Sequence, residues 1–157
     1  MLRKAVVADL PAITIVRTAV RENHLSVAQM AARGITPESI IEDIKAGHLG
    51  AWVSEIDNRI VAFAMADKRN GNLFALFTHP DHEGQGHGSM LLNEAEAWLA
   101  NQGCQQAILD TDRNARAVAF YVERGWQEYE RDAKDIFMCK DLTPINYPTP
   151  SPQCGQG

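Results

Sequence analysis

A chain of 157 residues holds one domain with a sizeable core and is too short for two ordinary ones. Its 45% hydrophobic and 22% charged residues describe a globular chain rather than a disordered one. Fifteen basic against twenty acidic residues leave a net charge of −5, which argues against nucleic acid or an anionic membrane surface as partner.

Residues 2–8 read as a short strand. Asp9 then reads as the cap of a helix with Pro11 in its first turn, running to about Glu22. Asp9 and Pro11 also cut the N-terminal apolar run, so no signal peptide is expected, and no window approaches the roughly 18 apolar residues of a spanning helix. Residues 23–35 read as irregular. Thr36-Pro37-Glu38 opens a second helix, with Ile40, Ile41 and Ile44 at helical spacing and Gly47 at its end. Residues 49–56 and 59–67 flank the turn Asp57-Asn58, and Asn70-Gly71 leads into a third strand at 72–78, which makes an antiparallel meander. A helix at 86–102 carries Leu91, Leu92, Ala95, Trp98 and Leu99 on one face. A strand at 104–111, a helix at 114–124 closed by Gly125, and a strand pair at 126–131 and 135–142 complete the domain, 1–142. Strand, helix, strand, helix in the second half implies at least one parallel pairing. Residues 143–157 hold four of the chain's seven prolines and read as a flexible tail outside the fold.

The stretch Phe74-Ala75-Leu76-Phe77-Thr78-His79-Pro80-Asp81-His82-Glu83-Gly84-Gln85-Gly86-His87-Gly88-Ser89 runs from a strand through a tight turn into a helix. Its alternate glycines let the backbone turn sharply and let a ligand approach the main chain. The first amides of a helix lack internal partners and lie at the positive end of its dipole. Together these features suit a phosphate or diphosphate. A Walker loop fails because no lysine lies between Lys68 and Lys134. A dinucleotide fingerprint has Ser89 where its third glycine belongs and lacks a second mononucleotide half. A glycine loop that merely turns a corner remains the plain alternative.

The later segment Asn114-Ala115-Arg116-Ala117-Val118-Ala119-Phe120-Tyr121-Val122-Glu123-Arg124-Gly125-Trp126 shifts that balance. It resembles the second signature of the GCN5-related N-acetyltransferase superfamily, and Glu83-Gly84-Gln85-Gly86-His87-Gly88 resembles that family's acetyl-CoA motif, [QR]xxGx[GA]. The resemblance covers residues 2–142 and is densest over 73–126. The departure is Glu83, where the family pattern has Gln or Arg.

The resemblance implies a single α/β domain of the GNAT type. Its mixed, mostly antiparallel sheet has about 6–7 strands, is splayed at the centre and carries helices on both faces. It also implies acetyl-CoA as cosubstrate and no metal. The pantetheine arm would lie between strands 72–78 and 104–111 against main-chain groups around Phe77 and Thr78. By the same resemblance, residues Glu83, Gly84, Gln85, Gly86, His87, Gly88 and Ser89 would form the diphosphate loop, and Asn114 would bond the cofactor arm or cap its helix. Tyr121 stands at the family's tyrosine position. A phenol with a pKa near 10 is protonated at neutral pH and can donate to the departing thiolate; the plainer reading of Tyr121 is a core aromatic. A backbone amide near Thr78 is the expected oxyanion donor. Glu22, His24, His79, Asp110 and Asp112 stand as alternative proton acceptors for the amine, each with an ordinary loop or surface reading.

Acetyl transfer to a small-molecule or peptide amine by direct attack in a ternary complex is therefore the expected function. A catalytically silent CoA-binding sensor or interaction module is the competing class. The expected setting is the cytoplasm, without nucleic-acid or membrane partners, and the resemblance admits a homodimer. His79, His82 and His87 span a proline turn and a glycine loop rather than one helical face, which is poor metal spacing. Cys104, Cys139 and Cys154 show no metal spacing either, and Cys104 and Cys139 read as packed rather than nucleophilic.

Overall fold

The computed structural model describes residues 1–19, 36–113 and 116–142. Seven strands form one sheet in the order β1-β2-β3-β4-β5-β7-β6. They are β1 Leu2–Lys4, β2 Leu49–Ile56, β3 Arg59–Asp67, β4 Asn72–Thr78, β5 Gln106–Asp112, β6 Gln127–Arg131 and β7 Asp135–Asp141. The described helices are α1 Leu10–Ala19, α2 Pro37–Lys45, α3 His87–Asn101 and α4 Ala117–Glu123, with 3-10 turns at Val7–Asp9 and Pro80–His82. Every pairing is antiparallel except β4 with β5.

Local chemistry accounts for most of these elements. Asp57 and Asn58 both take positive φ (50° and 64°), as the twist of a tight hairpin between β2 and β3 demands. The Thr36 hydroxyl accepts from the Ser39 amide at 3.1 Å, and Ser39 Oγ accepts from the Thr36 amide at 3.0 Å, a reciprocal cap that starts α2. The first strand is shorter than residues 2–8 because the Asp9 carboxylate reaches back. It accepts from the Val6 amide at 2.7 Å and from both Arg3 Nη atoms, which closes a turn instead of extending β1 or capping α1. Cys104 lies in the turn before β5, where its thiol donates to the Lys68 carbonyl at 3.3 Å and burial pushes its pKa up; Cys139 is buried in β7. Both are packed, as the sequence suggested.

The core has two layers, one on each face of the sheet. Ile13, Val16, Val53, Phe63 and Met65 form the layer under α1 and α2. Trp52, Leu91, Leu92, Leu99, Trp126 and Met138 form the layer under α3 and α4. Ala62, Ala64 and Ala66 of β3 are fully buried on that second face, and their small side chains let α3 lie close to the strand. Residues 114–115 fall outside the described residues, so Asn114 does too, as do Glu22, His24 and the tail 143–157.

Two irregularities position the site. β4 and β5 share a single register pair, Asn72 with Ile108, after which they diverge. Gly71 pins that vertex, because at φ +73° a Cβ there would lie 2.3 Å from the Gln106 carbonyl oxygen. The second irregularity is a bulge: Met65 pairs with Ala75, but Ala66 pairs with Leu73, so Phe74 is an extra residue in β4. Phe74 and Ala75 consequently both pack in the α1 layer, which breaks the alternation of the strand.

Candidate active site

A cavity of about 940 Å³ opens where β4 and β5 part. It runs from α1 and α2, at Leu10, Thr14, Arg17 and Ile40, through the gap to the glycine loop and α4. The His79 amide donates to the Val61 carbonyl at 2.7 Å, so by strand alternation the main-chain groups of Thr78 and Leu76 face the gap, while those of Phe77 face β3. Phe77 contributes its ring instead. The Arg17 guanidinium lies 3.9 Å from its centroid, on the α1 side of the cavity. Leu76 is therefore a gap-facing position that sequence reasoning missed; the bulge that sets its phase has no sequence signature.

The loop that closes the gap has the form its glycines foreshadow. Gly84 and Gly86 take φ of +77° and +88°, and Gly86 is the N-cap of α3. The first bond of α3 runs from the Met90 amide to the Gly86 carbonyl at 3.2 Å, so the amides of His87, Gly88 and Ser89 precede the intrahelical ladder. A Cβ on Gly88 would sit 3.4 Å from the Phe120 ring, so this glycine lets α4 close over the loop. Glu83 turns its carboxylate to Arg116, with Nη2 3.3 Å from each oxygen, which offsets the acid that departs from the family pattern.

His87 points inward. Its Nδ1 lies 2.6 Å from the buried Ser54 Oγ, and its Nε2 lies 3.3 Å from Gln85 Oε1. Gln85 Oε1 also lies 3.4 Å from His82 Nδ1. A neutral ring fits these partners, with Nε2–H donating to Gln85 and Nδ1 accepting from Ser54. Burial first, and then repulsion from His82 and the amino terminus, lowers the His87 pKa.

Tyr121 is 7% exposed, packed edge-on against Phe120 and Trp126, and it lines the cavity. Burial holds its phenol well above the usual pKa. Asp110 and Asp112 project from β5 at the cavity wall, beside Asp135, whose carboxyl is raised by burial and then by repulsion from Asp110. His79 is not among the lining residues. It caps the Pro80–His82 turn, its Nδ1 accepting from the Asp81 amide at 3.1 Å. Among the described residues no group of three or more His, Cys, Asp or Glu side chains is placed to hold a metal ion. None of their helices is long and apolar enough to cross a membrane.

Arg124 is a second residue that sequence reasoning left without a role. Its Nε and Nη2 donate to Ser89 Oγ at 3.0 and 2.6 Å, Nη1 donates to the Phe120 carbonyl at 2.9 Å, and the guanidinium stacks 3.8 Å from the Phe120 ring centroid. The only sequence signal for it was its place one residue before the glycine that ends α4.

The model of the Acetyltransferase (GNAT) family matches residues 18–126, more than half of the chain. No curated protein matches the sequence. Among solved structures, PaiA N-acetyltransferase from Thermoplasma acidophilum, in complex with coenzyme A, superposes with a TM-score of 0.77 at 18% identity, covering 90% of this chain and 98% of that one. The ribosomal-protein-S18-alanine N-acetyltransferase from Escherichia coli gives 0.71 at 20% identity, covering 95% and 99%. YncA from Salmonella typhimurium, with its cofactor acetyl-CoA, gives 0.72 at 19% identity, covering 95% and 97%. At these identities the structures show a shared fold.

Proposed function

From the premise that the chain belongs to the Acetyltransferase (GNAT) family and is an N-acetyltransferase, we propose that it transfers the acetyl group of acetyl-CoA to a primary amine by direct attack within a ternary complex. The observation that carries this reading is the gap between β4 and β5, which opens onto the amides of His87, Gly88 and Ser89. The residues fit the thioester carrier. Leu76 and Thr78 offer strand-like main-chain partners to the pantetheine amides. The glycine loop and the positive end of α3 suit the diphosphate. Two of the solved structures with this fold are complexes with coenzyme A or acetyl-CoA.

Three chemical demands remain. A gap-facing backbone amide of β4, near the Phe74 bulge or Thr78, meets the developing oxyanion. Tyr121 donates its phenolic proton to the departing sulfur, since its raised pKa keeps that proton on the oxygen at neutral pH. Asp110 and Asp112, the candidate bases that line the cavity among the described residues, receive the amine's proton through water. The acceptor enters from the α1 and α2 side, where Ile13, Ile40, Phe63 and Phe74 make an apolar wall beside Arg17.

A panel of amines read by free-thiol release tests the reading: amino acids, N-terminal peptides, polyamines and aminoglycosides with acetyl-CoA. At least one amine should be acetylated with one thiol released per acetyl transferred. Tight coenzyme A binding with no turnover on any amine would instead favour a silent CoA-binding module.

A further inference from the structure

We propose that Arg124 is a phosphate ligand of the coenzyme, the side-chain half of a cradle whose other half is the main chain of residues 84–89. The inference rests on the coenzyme A reading above and adds a residue to it. A guanidinium carries five N–H groups. Nε and one Nη donate to Ser89 Oγ, and another Nη donates to the Phe120 carbonyl, so two N–H groups are left over for a ligand. Stacking on Phe120 and those three bonds hold the fork in one orientation before any ligand arrives, so little side-chain entropy is lost on binding. Ser89 Oγ already accepts two of the Arg124 N–H groups, so its own proton is directed elsewhere.

Placement and charge agree. Ser89 is the third residue of α3, so the guanidinium sits one side chain away from the amides at the helix's positive end, and both line the cavity. Glu83 and Arg116 are paired with each other. Glu123 lies 3.7 Å from Arg124 but is 75% exposed, so water and salt screen it. The family motif places Gln or Arg at the position where this chain has Glu83. Here Arg124 brings a cation to the first turn of α3 from α4.

The test is calorimetric titration of coenzyme A, 3′-dephospho-CoA and pantetheine into the full chain and its Arg124→Gln and Arg124→Lys variants, at several salt concentrations. Arg124→Gln should weaken coenzyme A binding at least tenfold and reduce the slope of log affinity against log salt by about one. Arg124→Lys, which keeps the charge without the fork, should lose less, and it carries the test if the glutamine variant does not fold. Pantetheine, which has no phosphate, should be affected less than threefold. An equal loss with 3′-dephospho-CoA assigns the contact to the diphosphate, and a loss confined to coenzyme A assigns it to the 3′-phosphate; both support the proposal. Unchanged affinity and slope would overturn it, as would an equal loss for pantetheine, which would mark Arg124 as structural. If the unsubstituted chain bound no coenzyme A at all, the functional reading itself would fail, a distinct result.

Discussion

Replacing Tyr121 with phenylalanine isolates the proton that the departing thiolate needs. The ring would remain wedged between Phe120 and Trp126, so folding stability should stay within about 1 kcal/mol of the parent. An ordinary phenol's pKa near 10 exceeds a free thiol's near 8.5, so in water the transfer is uphill by ~2 kcal/mol, and the burial that raises the Tyr121 pKa adds to that. The walls that desolvate Tyr121 also disfavour the thiolate and raise the pKa of the leaving thiol, which narrows that gap. Without the donor, the sulfur must leave as a bare anion. The expected loss in kcat is about 10²- to 10³-fold, or roughly 3–4 kcal/mol in the barrier. The dissociation constant for acetyl-CoA should change less than threefold. Stopped-time assays of thiol release with the best amine, beside calorimetric titration, measure both. Because the phenol is held protonated, the parent rate should show no alkaline decline between pH 7 and 9. A variant that keeps full turnover, or one that loses cofactor affinity in step with rate, would refute the general-acid role.

Other consequences are equally concrete. His87 has a folded pKa below its unfolded value of about 6.5, so its contribution is complete above that pH and is lost as pH falls toward the folded value; urea unfolding should show stability declining from pH 7 to pH 5, and His87→Leu should flatten that decline. Gly71→Ala forces a Cβ to 2.3 Å from the Gln106 carbonyl in a left-handed conformation, and it should cost roughly 2–5 kcal/mol by denaturant unfolding, a loss under 1 kcal/mol contradicting the vertex described for β4 and β5. Gly86→Val meets no atom within 4 Å of its Cβ, so the cost is backbone strain at φ +88° and distortion of the loop; coenzyme A affinity should fall at least tenfold by calorimetry, while the far-ultraviolet circular dichroism keeps its native shape.

Much of the local structure was written in short stretches of sequence. β2, β3 and β4 fall on the residues their patterns marked, because Asp57-Asn58 and Asn70-Gly71 are among the few dipeptides that accept a tight turn cheaply. Thr36-Pro37 starts α2 by its own capping chemistry. The alternate glycines marked a tight turn into a helix, and Gly84 and Gly86 do take positive φ there. The strand at 2–8 was overstated because the Arg3–Asp9 pair, six residues apart, closes a turn that strand propensity does not register.

What the sequence by itself determined is the order of the elements and the backbone form of the glycine loop, both fixed by groups within a few bonds of one another. The tertiary structure decided how far β4 and β5 part, which residues the bulge at Phe74 turns toward the gap, and which side chains distant in sequence become partners. Ser54 with His87, Glu83 with Arg116, and Ser89 with Arg124 are separated by 33, 33 and 35 residues, respectively. Such pairs depend on how a twisted sheet and its covering helices settle against one another. Side-chain packing sets that arrangement, and no local pattern encodes it.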